Sequence, residues 1–95
     1  MNLHETIQNN EKSVATKNLL RDSGTATVIN IKKDGILDKH QSKTNALLVL
    51  LEGHAIYEEE DREVELSTLH DFVNIPKRVT HRVKGVEDTL LLLVQ

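Results

Sequence analysis

The sequence predicts an all-β domain, a sandwich or barrel, and three observations carry that prediction. About eight or nine short runs of strand character follow one another at regular spacing, with turn signals between them. The longest apolar run, Ala46-Leu47-Leu48-Val49-Leu50-Leu51 before Glu52-Gly53, is far short of the ~20 residues of a membrane span and reads as a strand buried on both faces. Helical spacing is confined to the first few residues. At 95 residues the chain makes one domain, large enough for its own core.

Taken in order, Asn2 followed by Glu5 forms an N-cap with its return partner, and Leu3 and Ile7 share a helical face. This predicts one or two helical turns, ended by Asn9-Asn10. From Val14 to Leu20 the pattern is mixed, and Asp22-Ser23-Gly24 is a turn. Thr25 to Ile31, dense in β-branched residues, is a strand. Asp34-Gly35 turns the chain into a polar stretch that delivers His40 to the start of the apolar run. His54 to Glu58 and Arg62 to Leu66 form a hairpin around the acidic tip Glu59-Glu60-Asp61. Ser67 to Asp71 is a polar connector, and Phe72-Val73-Asn74-Ile75 is a strand stopped by Pro76. Val79 to Lys84 alternates, placing His81 inward beside Val79 and Val83. Gly85 turns the chain into a last buried strand, Leu90 to Val94.

Composition narrows the function. Cysteine is absent, which excludes disulfides, thiolate metal sites and cysteine nucleophiles and fits a reducing cytosol. The start Met1-Asn2-Leu3-His4-Glu5 lacks the basic region and apolar core of a signal peptide, so a cytoplasmic, soluble protein with no membrane partner is expected. Net charge is −3 and the basic residues are scattered, with only Lys77, Arg78, Arg82 and Lys84 grouped. Tyr57 and Phe72 are the only aromatic side chains. Without a basic footprint or stacking platforms, nucleic acid is not the expected partner.

Residues 26–94 resemble the cupins, the small double-stranded β-helix (jelly-roll, RmlC-like) superfamily. In the first family motif, G-x5-H-x-H-x3-E-x6-G, the first histidine falls on His40 and the closing glycine on Gly53. In the second, G-x5-P-x-G-x2-H-x3-N, the proline falls on Pro76 and the histidine on His81, and Asp71 matches the residue that commonly follows the first glycine. The departures are as informative. Ser42 replaces the second histidine and Ala46 the glutamate; Asp34, His70 and Arg78 replace glycines, and Gly85 replaces the asparagine. The resemblance implies a cupin barrel, pairing of two chains through N-terminal strands (residues 1–25 here), and a metal site of three histidines and a glutamate. Two of those four ligands remain.

The expected site is therefore a pocket with His40 and His81 as its polar features, Ser42 and Asn45 close in sequence, and an apolar lining. Imidazole suits Fe, Ni, Cu or Zn, but two histidines alone hold a metal weakly. The cofactor expectation is none, or a weakly bound divalent transition metal. The acidic run Glu58 to Asp61 reads as a solvated hairpin tip, the basic group as a solvated edge, and Tyr57 as packing. His54 and His70 read as surface residues, and His4 as part of a loosely held segment. The leading function is small-molecule binding or sensing on a degenerate metal site. A metal-dependent oxygenase or isomerase using His40 and His81, and an interaction module with a vestigial pocket, are the alternatives. A symmetric homodimer is expected, because so small a domain leaves apolar groups and a strand edge to cover.

Overall fold

The computed structural model describes residues 1–7 and 11–95; the helix stop expected at Asn9-Asn10 lies outside the described residues. In chain order the elements are α1 (Leu3–Ile7), β1 (Val14–Arg21), β2 (Thr25–Ile31), β3 (Ile36–His40), β4 (Ala46–Glu52), β5 (Ala55–Glu59), β6 (Glu63–Leu66), β7 (Phe72–Ile75), β8 (His81–Gly85) and β9 (Thr89–Val94). Two antiparallel sheets result, one in the order β1-β2-β9-β4-β7 and the other in the order β3-β8-β5-β6. From β2 onward the chain crosses between sheets at nearly every connection. Besides the β1–β2 pair, the β5–β6 hairpin stays within one sheet, closed by Glu59 N donating to Arg62 O at 2.7 Å. This is a cupin-type jelly roll: the predicted all-β fold with one short helix.

Period-two alternation builds the core. Ile29, Ile31, Leu48, Leu50, Val73, Ile75 and Leu91 from the larger sheet meet Ala55, Tyr57, Leu66 and Val83 from the smaller one, all buried. Side chains fill the space between the sheets. A second, smaller cluster lies on the outer face of the larger sheet, where Ile7 of α1 covers Val28 and Leu90, with Leu3, Ala15 and Leu51 packed against it. Asn2 starts that helix by accepting from His4 N with its side chain. The mixed segment after residue 13 is the edge strand β1, registered against β2.

Three expectations need correction. The outward residues of β4 and β9 are only partly covered: Leu47, Val49 and Leu92 are half-buried and Val94 is exposed, because α1 reaches only one end of that face. The strand carrying His81 begins at His81 rather than Val79. Gly85 does not turn the chain. It is the buried last residue of β8, exchanging backbone bonds with Asp34 and Gly35, and a Cβ there would lie 2.7 Å from the Lys32 carbonyl oxygen.

The backbone conformation agrees with the motif resemblance at three positions. Among the described residues, Asp34, His70 and Arg78 are the non-glycine residues with positive φ, at 66°, 79° and 63°. These are the positions where the resemblance replaces glycine. The left-handed conformation thus falls where the resemblance expects glycine, the residue that adopts it most easily.

Candidate functional site

His40 and His81 meet at one end of the smaller sheet. On β8, Val83 and His81 lie two residues apart and both face inward. Their partners on β3 are Leu37 and His40, three residues apart. The extra residue is a β-bulge, and it restores the phase that an odd spacing would otherwise reverse. Without it, Leu37 and His40 would point to opposite faces. As it stands, half-buried Leu37 packs on the core and exposed His40 turns its ring toward buried His81. The ring centroids are 4.1 Å apart at an interplanar angle of 62°.

The hydrogen bonds decide what this pair can do. His40 Nδ1 donates to the Asp38 carbonyl at 2.8 Å, and His81 Nδ1 donates to the Val79 carbonyl at 3.0 Å. A carbonyl oxygen only accepts, so both Nδ1 atoms carry hydrogen. In neutral rings both Nε2 atoms then present lone pairs, yet they lie 3.0 Å apart. Two acceptors at that distance need a cation between them. A proton serves, making one ring an imidazolium. Burial pushes the His81 pKa down, aided by the neighbouring His40 and opposed by its bond to Val79 and by Glu59. One such proton is shared between the two Nε2 atoms. A borderline divalent metal would also suit two imidazole nitrogens, and His40 and His81 would hold it. Tying Nδ1–H to a carbonyl is also how metal-ligating histidines are commonly oriented. The two rings thus fit a borderline divalent metal as far as two ligands can. Among the described residues, no group of three or more His, Cys, Asp or Glu is gathered as a metal set.

Beyond His81 the row continues onto β5, where Glu59 is its cross-strand partner. The Glu59 side chain is only 7% exposed. The Arg62 guanidinium grips its carboxylate as a fork, Nε to Oε1 at 3.1 Å and Nη2 to Oε2 at 2.5 Å. Arg62 Nη2 also donates to the Asn74 carbonyl of the other sheet at 2.7 Å. The Tyr57 hydroxyl donates to Glu59 Oε2 at 2.5 Å, and its ring stacks on His81 with centroids 5.5 Å apart at 28°. Arg62 holds the Glu59 carboxyl below the ordinary carboxylate range, with Tyr57 helping and burial opposing. Burial, reinforced by Glu59, pushes the Tyr57 phenol far up.

Glu59 therefore corrects the reading of Glu58 to Asp61 as a wholly solvated tip. Glu60 and Asp61 are exposed, whereas Glu58 pairs with Arg82 at 3.3 Å and Glu59 faces inward. The sequence signal was the alternation Ala55, Tyr57, Glu59. A concavity of about 520 Å³ opens beside the pair, lined by Lys39, Glu58, Glu59, Glu60, Thr80, His81 and Arg82. It is polar, where an apolar lining was expected, because the barrel interior is already packed. Ser42 Oγ donates to the Gln95 side chain at 2.8 Å, and Asn45 Oδ1 accepts from Lys77 N at 3.0 Å. Both brace loops away from the histidine contact. His70 is exposed, and His54 is half-buried, its side chain 27% exposed with Nε2 3.6 Å from Glu65 Oε1. His4 contacts the Glu52 carboxylate.

No family profile matches the sequence, and no curated protein matches it. Solved structures do match in fold. The chain is similar to a cupin superfamily protein from Desulfitobacterium hafniense, with a TM-score of 0.87 and 17% identity over 98% of this chain and 85% of that one. It is similar to an RmlC-like cupin from Desulfovibrio desulfuricans at a TM-score of 0.84 and 17% identity, covering 99% and 92% of the two chains. A cupin 2 conserved barrel domain protein from Leptotrichia buccalis superposes with a TM-score of 0.86 and 24% identity, covering 99% of this chain and 46% of that one. At these identities the likeness establishes the cupin fold alone. Among the described residues no helix is long and apolar enough to cross a membrane.

Proposed function

We propose that the chain is a small-molecule-binding or sensing protein, with the cation-bridged His40–His81 pair as its polar anchor and a small anionic molecule as its ligand. One observation carries this reading: the two Nε2 lone pairs converge at 3.0 Å while both Nδ1 atoms are committed to backbone carbonyls. Whichever cation bridges them brings positive charge to the barrel mouth. Lys39 and Arg82 line the same concavity together with Glu58, Glu59 and Glu60; Glu58 is paired with Arg82 and Glu59 with Arg62. A carboxylate or phosphate oxygen is the complementary group.

A divalent transition metal is the second candidate for the bridging cation, and His40 and His81 would hold it. When bound it would supply Lewis acidity toward a ligand oxygen. That would bring the oxygenase or isomerase reading forward. Two protein ligands are fewer than the three usual at catalytic sites, so binding ranks ahead of catalysis. Pairing of two chains is part of the same proposal, supported by the exposed edge strand β1 with Leu19 and Leu20 uncovered.

The test is a thermal-shift screen of chelator-treated protein against small carboxylates and phosphates, with and without Zn2+, Ni2+ or Fe2+. A ligand at one hundred times its Kd stabilises by about 2.7 kcal/mol, a rise of roughly 10 °C or more for a domain of this size. The rise should vanish in His40→Ala and His81→Ala. Equal shifts in the wild type and both variants would remove the histidine pair from the binding site.

A further inference from the structure

We propose that Glu59 is a third protein ligand for a divalent metal at the His40–His81 pair, held in reserve by Arg62. This rests on the reading that the pair accepts a metal, and goes beyond it by naming a ligand from a different strand and the residue that controls it.

The placement comes from register. His40 on β3, His81 on β8 and Glu59 on β5 occupy one row across three adjacent strands, paired His40↔His81 and His81↔Glu59. Neighbouring strands are about 4.8 Å apart, so the flanking side chains straddle the central histidine. Glu59 turns to the inner face with its side chain 7% exposed. Two imidazoles and one carboxylate form a recognised ligand set for non-haem iron and related ions. The other oxygen-bearing side chains are committed or turned away: Glu58 pairs with Arg82, Ser42 and Asn45 brace loops, and Glu60 is exposed.

Glu59 is now bound to Arg62 and Tyr57 rather than directed at the pair. The Arg62 side chain is 39% exposed and holds the Glu59 carboxylate as a fork, so a metal has to compete with it for those oxygens. Arg62 also keeps a second anchor at the Asn74 carbonyl of β7, so it need not leave the mouth when Glu59 does. Competition between guanidinium and metal for one carboxylate makes Arg62 a positioning residue that lowers the apparent affinity for metal.

The test is Ni2+ titration of the whole chain by calorimetry, with Co2+ visible spectra as a report on coordination. Glu59→Gln should weaken Ni2+ binding by about tenfold or more and change the Co2+ spectrum. Arg62→Gln, which releases Glu59, should tighten binding, and that gain should disappear in the Glu59→Gln background. A purely electrostatic effect of removing a positive charge would persist there, so the double-mutant cycle separates the two. An unchanged affinity in Glu59→Gln, or an Arg62→Gln gain that survives in the double variant, would overturn the assignment. It would leave the histidine reading intact if His81→Ala still abolishes binding. Absence of Ni2+ binding in both the wild type and Arg62→Gln would overturn the assignment together with metal at the pair.

Discussion

Tyr57 lies stacked on His81, ring centres 5.5 Å apart, and its hydroxyl reaches past that ring to Glu59. One fully buried side chain therefore joins the core to the polar row at the barrel mouth. Tyr57→Phe keeps the packing and deletes only the hydroxyl bond. It should destabilise the fold by about 1 kcal/mol. Tyr57→Ala removes the ring as well and should cost roughly 3–5 kcal/mol. Chemical denaturation of the two variants measures the difference; equal losses would show that the hydroxyl, rather than the ring, dominates.

The left-handed positions make a prediction of opposite sign. Arg78 sits at φ 63°, a conformation that costs a non-glycine L-residue about 1–2 kcal/mol. Glycine removes that strain but gains up to about 1 kcal/mol of unfolded-state entropy. Arg78→Gly should therefore stabilise by up to about 1 kcal/mol, visible as a rise in Tm. Asp34→Gly should gain less, because aspartate tolerates this region better. Gly53 is the reverse case. Its φ is 99° and a Cβ there would come within 2.3 Å of the Asp88 carbonyl oxygen, so Gly53→Ala should destabilise by roughly 3 kcal/mol or more.

Asp71 supplies a pH dependence. Its carboxylate accepts from Thr68 N at 2.9 Å and Ser67 N at 3.1 Å, and these bonds hold its pKa below the ordinary carboxylate range. Because the folded pKa is the lower one, the contribution is fully present above the unfolded value of ~3.9 and is lost as pH falls through the folded value. The Tm gap between wild type and Asp71→Ala should be widest near neutrality and should narrow in acid. A gap that does not change with pH would contradict this role.

Much of this architecture was legible in the residues. Alternation placed Val64, Leu66, His81 and Val83 on the inner face, and the motif resemblance brought His40 and His81 to one mouth. The bulge in β3 was not legible, because nothing in Asp38-Lys39 marks an extra residue; it is defined by register against β8. Glu59 was overlooked because four successive acidic residues look like a tip, although the parity set by Ala55 and Tyr57 points it inward. The apolar run in β4 reported hydrophobicity correctly on both faces. It could not report that the outer one is only partly covered.

The central claim is that the metal-free pair needs a bridging cation, and it rests on both Nδ1 atoms being protonated. Long-range 1H–15N correlation spectra of the histidine rings in chelator-treated protein test this most directly. The prediction is Nδ1–H in both His40 and His81, with a single proton shared between their two Nε2 atoms. If either ring instead carries its single proton on Nε2 and leaves Nδ1 bare, an ordinary neutral hydrogen bond joins the two rings. No cation would then be required, and the anion-binding anchor would lose its basis.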